Sequence, residues 1–447
     1  MAKKMLIGTA TGPDIKSLNM QIEHFIPLVD LIELRMDLID IDENVLTQAM
    51  ETVSKPCILK IDQKDYEKRP FFYKRLLECG FSYVDIEYPD SKSLVFYVRE
   101  NYPNMKVILS YHNFERADFD IESLFEKMKA FHADYYKIVA KARSATESLK
   151  LLDFLRWHND FPLICFAMGE YGVFTRVIAK IFNSSMTYAA FDDQMRVDQQ
   201  ICAVDYHRIY RFKKLNQKTK IYGLLGNPIS QSIGHLFHNG VFEKENHNAV
   251  YVKILLKEEE LSEFLKESIY FPFEGFSITY PFKKEASSFF NSKSYEKIGV
   301  NTLKKDKDSY LAGNTDGIGA LKALSKHLDV KDKKVCVLGT GSTACSIAQV
   351  LKPLTKKIYF ISRSPSNKGD LSYTDLKEVD YDLLINATPI PLQNLCLQID
   401  PKAHVLDVVM SSKKDLNHPF WIEGSEMFIM QAKEQQDIWF SKKLIKK

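Results

Sequence analysis

Lys137 interrupts an otherwise apolar run, Tyr135-Tyr-Lys-Ile-Val-Ala-Lys141. A lysine that is partly desolvated and held among cations such as Arg35 has a lowered pKa, and its neutral amine attacks a carbonyl. The iminium so formed is an electron sink that lets a proton leave the adjacent carbon. A histidine is the natural base for that proton, and a carboxylate can orient its ring. His112 and Glu87 supply those parts, each from its own short run. Taken singly, His112 is more often a satisfied core histidine and Lys137 a structural ion-pair partner.

A second set lies far downstream. Val335-Cys-Val-Leu-Gly339-Thr-Gly341-Ser-Thr-Ala344 runs from a buried strand into Gly-x-Gly-x-x-Ala and then into a helical stretch. The first glycine allows the tight turn, the second lets backbone approach a pyrophosphate, and the small third residue packs helix on strand. The next strand, Lys357–Ser362, ends in Ser362-Arg363-Ser364, where an acidic residue would hold a ribose hydroxyl. An arginine there suits a 2′-phosphate, so NADP is expected over NAD. Upstream, Lys283 follows the strand Gly275–Pro281, and Asp316 lies in Gly313-Asn-Thr-Asp-Gly317. A buried Lys–Asp pair beside a nicotinamide passes a proton to a carbonyl oxygen as hydride arrives.

Two kinds of scaffold must hold these groups. The first half contains eight short apolar or alternating runs: 5–11, 31–37, 57–62, 83–88, 106–112, 135–141, 162–169 and 186–191. Most are separated by segments of helical spacing, such as Ile121–His132 and Thr146–His158. Eight alternations predict a (β/α)8 barrel, with an open doubly wound sheet as the alternative. Glu33, Arg35 and Asp37 are spaced by two, as are Asp85 with Glu87 and Ser110 with His112, so each set shares one strand face. A parallel barrel buries its strands, so such charges need partners, and barrel enzymes place them at the C-terminal strand ends.

Between the halves, Arg211-Phe-Lys-Lys-Leu-Asn-Gln-Lys-Thr-Lys220 is basic and has no period that would bury a face. It is the seam between two catalytic units on one polypeptide, and its charge suggests loose coupling.

The composition is that of an ordinary globular chain. The 447 residues are 45% hydrophobic and 27% charged, with a net charge of only +3, which gives no footing for nucleic acid or a membrane surface. The seven cysteines are scattered, with no Cys-x-x-Cys, and read as buried reduced thiols; no metal cluster is visible. Met-Ala-Lys-Lys-Met runs straight into a strand, with no signal h-region and no apolar run of spanning length. A cytoplasmic location is the expectation.

Beyond these physical readings, Glu33-Leu-Arg-Met-Asp37, Val84-Asp-Ile-Glu87, Ser110-Tyr-His-Asn-Phe114, Tyr136-Lys-Ile-Val-Ala140 and Met168-Gly-Glu-Tyr-Gly-Val-Phe-Thr-Arg176 resemble the type I 3-dehydroquinate dehydratases. The resemblance implies Lys137 as the Schiff-base lysine, His112 as general acid/base and Glu87 as its partner. It also implies Glu33, Arg35, Arg176 and Gln200 in substrate binding. Lys60-Ile-Asp62 stands where that family commonly has Thr-x-Arg, and Arg196-Val-Asp-Gln-Gln200 replaces its lid motif.

The second half resembles shikimate dehydrogenase through Gly226-Asn-Pro228, Thr279-Tyr-Pro-Phe-Lys283, Gly299-Val-Asn-Thr302, Gly313–Asp316, Gly339–Ala344, Asn386-Ala-Thr388 and Met427–Gln431. That implies Lys283 and Asp316 as the catalytic pair, with Ser232, Thr279, Asn301 and Gln431 on the substrate. It implies Gly339, Gly341, Ser342, Ala344, Ser362, Arg363, Asn386 and Thr388 at the cofactor. One carboxylate-binding serine is replaced, since Gln231-Ser-Ile-Gly-His235 stands for His-Ser-x-Ser-Pro.

The expected architecture is α/β. A TIM barrel spans 1–212, a linker 213–220, a substrate domain 221–325 completed by 425–447, and a Rossmann domain 326–424. The expected function is bifunctional: lyase, then NADPH-dependent oxidoreductase, converting 3-dehydroquinate to 3-dehydroshikimate and then shikimate. Its expected partners are these small molecules, with no nucleic acid or membrane, and a monomer is the expected state. The alternatives are a shikimate or quinate dehydrogenase with an inactive barrel, and a non-catalytic sensor of these acids.

Overall fold

The computed structural model describes residues 4–12, 14–38, 46, 47, 50, 53–61, 63–89, 92–192, 199–290, 295–363, 365, 371–410 and 418–440. The chain divides into two units, 1–221 with 242–272, and 222–241 with 273–447.

The first unit is built on strands β1 (Met5–Ala10), β2 (Leu31–Leu34), β3 (Cys57–Ile61), β4 (Tyr83–Glu87), β5 (Lys106–Asn113), β6 (Tyr135–Lys141), β7 (Leu163–Met168) and β8 (Met186–Ala190). They form one parallel ladder in the order β7-β6-β5-β4-β3-β2-β1-β8, extended by β9 (Ile201–Cys202). The ring meets where the Ser185 N–H donates to Leu163 O at 2.6 Å, beside the starts of β7 and β8. The eight runs are therefore the eight barrel strands. The second strand ends sooner than its side-chain spacing suggested. The Arg35 N–H still donates to Ala10 O (3.1 Å), but the Leu38 N–H turns back to Arg35 O (2.8 Å).

Some helices between the strands start where short polar side chains satisfy their first N–H groups. Asp120 accepts from Ser123 N before the helix Ile121–Lys129, and Ser144 accepts from Glu147 N before Ala145–Trp157. Residues 242–272 carry β11 (Ala249–Leu255), which follows β10 (Lys220–Gly226) in sequence, and the helix Leu261–Ser268. They are tied into the first unit, where Glu260 accepts from the Thr146 N–H (2.7 Å) and hydroxyl (2.8 Å).

In the second unit β10 lies beside β12 (Phe273–Ile278), followed by β13 (Thr302–Asp306) and β14 (Ser309–Gly313). The pairs β12–β13 and β13–β14 are antiparallel. A separate six-stranded parallel sheet comprises β15 (Lys334–Leu338), β16 (Lys357–Ser362), β17 (Leu371–Ser372), β18 (Leu383–Asn386), β19 (His404–Asp407) and β20 (Trp421–Glu423), in the order β17-β16-β15-β18-β19-β20. Alternation along β15 sends Val335 and Val337 into one core and Cys336 and Leu338 into the other, so both faces of the sheet are covered. The last helix, Gly424–Phe440, returns to the first of these sheets: Trp439 Nε1 donates to Leu303 O (2.9 Å) and Gln435 Nε2 to Asn301 O (3.0 Å).

Candidate active sites

In the barrel, parallel register sets the site. Glu87, Ser110 and Lys137 are neighbours across β4, β5 and β6, and Lys60 on β3 is level with Asp85 on β4. Inward-facing residues from these strands therefore meet in two layers. Asp85 is fully buried and bridges two lysines, with Oδ2 3.0 Å from Lys137 Nζ and Oδ1 2.7 Å from Lys60 Nζ. Lys60 Nζ also donates to Glu87 Oε2 (2.8 Å) and Ser110 Oγ (2.9 Å). Glu87 holds His112 twice: the ring Nδ1 lies 2.9 Å from its carboxylate oxygens, and the backbone N–H of His112 donates to Oε1 at 2.9 Å.

Above this floor is a cavity of about 340 Å³. Its walls bring together Glu33, Arg35, Arg176 and Gln200 with His112 and Lys137. Arg35 makes a bidentate pair with Asp37, at 2.8 and 2.5 Å. Arg176, on the helix Val173–Ile178, lies over the Phe166 ring at 4.7 Å. Gln200 donates to Thr9 Oγ1 at 3.4 Å; residues 196–198 of the expected lid, like Asp62, lie outside the described residues.

Charge in this site departs from the expectation for Lys137. Burial favours its neutral amine, but Asp85 and Glu33 (3.8 Å) outweigh that and raise its pKa. The cations expected to lower it do not prevail, because Arg35 is engaged by Asp37 and Lys137 sits among carboxylates. Burial works against a charged Glu87, yet Lys60 and His112 hold it well below the usual carboxylate range. Burial lowers the His112 pKa, and Glu87 only partly restores it.

The second unit assembles a different site. Lys283, at the start of the helix Lys283–Phe289, donates to Asp316 Oδ2 at 2.5 Å. Asp316 opens the helix Asp316–Leu324, and its other oxygen accepts from Asn301 Nδ2 at 2.7 Å. Thr315 connects Asn301 to Gln431, accepting from Asn301 Nδ2 (3.0 Å) and donating to Gln431 Oε1 (3.2 Å). Among the described residues no hydrogen bond joins the side chains of Ser232 or Thr279 to this cluster. Ser232 Oγ accepts from the Gly234 N–H (3.2 Å), and the Thr279 N–H donates to Leu225 O (2.9 Å).

The glycine turn after β15 is shaped for an anion. Gly339 has φ +99°, a conformation that favours glycine, while a Cβ on Gly341 would meet nothing within 4 Å. Gly341 caps the helix Ser342–Leu351 without a side-chain hydrogen bond, which leaves its first N–H groups open to a phosphate. Ala344 is fully buried against the core. Ser362 ends β16, and its buried Oγ has no hydrogen-bond partner among the described residues; Arg363 beside it is exposed. Asn386 is fully buried, its amide donating to Ile390 O (2.8 Å) and Asp407 Oδ1 (2.9 Å), and its oxygen accepts from the Thr388 hydroxyl at 2.7 Å. These two shape the loop after β18. Among the described residues no group of three or more His, Cys, Asp or Glu is placed to hold a metal.

Residues 9–217 match the family model for type I 3-dehydroquinase, and residues 224–303 match the shikimate dehydrogenase substrate binding domain. A shikimate dehydrogenase (NADP(+)) of Clostridium botulinum is 31% identical over 48% of this chain and 95% of its own length. The shikimate biosynthesis protein AroDE of Chlamydia pneumoniae is 29% identical over 98% of this chain and 95% of its own. The chain belongs to the fused type I 3-dehydroquinase and shikimate dehydrogenase family. A plant member, the chloroplastic bifunctional enzyme of Arabidopsis thaliana, is 26% identical over 92% of this chain and 77% of its own.

Three residues of these two sites were not anticipated as members: Thr315, which links Asn301 to Gln431, Thr343 and Lys60. Thr343 of the glycine turn accepts from Lys283 Nζ at 3.1 Å and donates to Asp316 Oδ2 at 3.2 Å. Lys60 carried the same signal as Lys137, a lysine inside an apolar strand, but it stood out only as a departure from the family motif.

Proposed function

We propose that the chain catalyses two consecutive steps, dehydration of 3-dehydroquinate in the barrel and NADPH-dependent reduction of 3-dehydroshikimate in the second half. The observation that carries this is the meeting, on one cavity, of a buried lysine with its own carboxylate and a histidine held by another.

In the barrel, Lys137 Nζ attacks the ketone carbon, and water leaves as the iminium forms. Its proton must depart first; His112, kept neutral by burial, takes it and hands it to the carbinolamine hydroxyl that leaves as that water, which returns His112 to its neutral form. Nδ1 is held by Glu87, so Nε2 is the nitrogen left to remove the proton beside the iminium and return it to the departing hydroxyl. Hydrolysis then frees Lys137 and the unsaturated ketone. Glu33, Arg35, Arg176 and Gln200 line the cavity and would orient the polyhydroxy acid, with Arg176 on its carboxylate.

In the second half, Gly339, Gly341, Ser342 and the helix that follows would hold the pyrophosphate of NADP, with Ala344 packing beneath them and Ser362 and Arg363 at the 2′-phosphate. NADPH, when bound, supplies the hydride. Lys283 donates the proton to the new alkoxide, and Asp316 holds Lys283 in place. Asn301 and Gln431, linked through Thr315, would bind ring hydroxyls with Ser232 and Thr279, while Asn386 and Thr388 shape the loop beside the cofactor. We take the domain limits as 1–212, 221–325 with 425–447, and 326–424. We take the protein as a monomer in the cytoplasm.

A test is borohydride reduction in the presence of 3-dehydroquinate, followed by peptide mass mapping. The proposal expects one adduct, on Lys137. An adduct elsewhere, or none under turnover conditions, would overturn it.

A further inference from the structure

We propose that Lys60 is a positioning residue of the dehydration site, joining the carboxylate partner of Lys137 to that of His112. This rests on the dehydratase reading above.

Lys60 is a buried strand residue whose ammonium has three protons and three acceptors: Asp85 Oδ1 at 2.7 Å, Glu87 Oε2 at 2.8 Å and Ser110 Oγ at 2.9 Å. Ser110 Oγ itself lies 2.5 Å from Asp85 Oδ1 and 2.9 Å from Glu87 Oε2, which closes the ring. With every donor engaged, Lys60 has none left for the substrate. Its role is exerted through others: it keeps Asp85 and Glu87 ionised side by side, one on the nucleophile and one on the base. Without the ammonium, two carboxylates two residues apart on one strand face would repel, the Asp85 carboxylate being fully buried. Glu87 would then lose the contact that fixes its angle to the imidazole. Lys60 is the cation that this strand sets in the floor of the cavity.

The charged groups acting on His112 are Glu87 and Asp85 from β4, Lys60 from β3 and Lys137 from β6. Lys60 and Lys137 both disfavour imidazolium, so removing Lys60 leaves Glu87 less opposed and raises the proton affinity of His112.

The test compares wild type with Lys60→Met and Lys60→Gln. Wild-type turnover of 3-dehydroquinate checks the dehydratase reading independently. For Lys60→Met the expected result is a kcat lowered roughly 10- to 100-fold, part of what a positioned acid/base contributes, with KM changed far less. Its acidic limb in the pH–rate profile should move up by roughly one unit. Borohydride should still trap the imine on Lys137, which shows that the barrel is folded and binds. Lys60→Gln retains a donor without the charge, so it should keep more of kcat and show the same limb shift; it decides the matter if the methionine variant does not fold. An unshifted limb with wild-type kcat in either soluble variant would overturn the proposal. So would an adduct on Lys60 itself in the wild type.

Discussion

The two sites on this chain handle protons in opposite ways. The barrel site is an ion network. Lys60, Lys137, Asp85, Glu87 and His112 contact one another beneath the cavity, and their proton affinities are moved by burial and by each other. Among the described residues the dehydrogenase site has one ion pair, Lys283 with Asp316, surrounded by neutral amides and hydroxyls from Asn301, Thr315, Thr343 and Gln431. The difference follows from the chemistry. An amine nucleophile must lose a proton, attack, and have protons moved around its iminium, so several titrating groups are needed within reach. A hydride from a cofactor leaves the protein one proton to deliver, and a single oriented lysine suffices.

The largest expected effect is at the nucleophile. Lys137→Ala should lower dehydration by about 10⁴-fold or more, as loss of a covalent nucleophile does, while shikimate oxidation continues at the wild-type rate. Parallel loss of both activities would break the contrast between two separate sites. Next, Lys283→Met should lower kcat for 3-dehydroshikimate reduction by roughly 10²- to 10³-fold and leave dehydration unchanged, each assayed by absorbance.

A pH comparison sharpens the contrast. His112 acts as a base when neutral, and its pKa is lowered from 6.5. Dehydration should therefore persist below pH 6.5 and fall only as pH drops through the lower value. A kcat/KM limb above 6.5 would mean that Glu87, not burial, dominates the ring. The smallest effect concerns the exposed Arg363. Arg363→Ala should raise KM for NADPH about tenfold, near 1.4 kcal/mol, with little change for NADH. Equal changes for both cofactors would remove Arg363 from the 2′-phosphate.

Much of this was legible in the chain. Eight strand runs with intervening helical spacing gave the barrel, and polar residues two apart on a strand pointed inward, as Asp85, Glu87, Ser110 and His112 do. Lys137 with His112, and Lys283 with Asp316, could be named because their chemistry requires such partners. The charge around Lys137 was not legible. Which cation stays free depends on side-chain geometry, and the Arg35–Asp37 pair is a contact that spacing alone does not reveal. Lys60 was missed for a related reason: its meaning comes from the register that sets it beside Asp85, and register between strands 25 residues apart is not written in either strand. Thr343 joins the dehydrogenase pair only once the glycine turn and the helix at Asp316 are folded together.

The most direct measurement of the central claim is NADPH absorbance after 3-dehydroquinate alone is added to the purified protein. Two working sites on one chain predict oxidation after a short lag, as the unsaturated ketone forms and is consumed. Silence with 3-dehydroquinate but oxidation with 3-dehydroshikimate would contradict an active barrel. Silence with both would contradict the account as a whole.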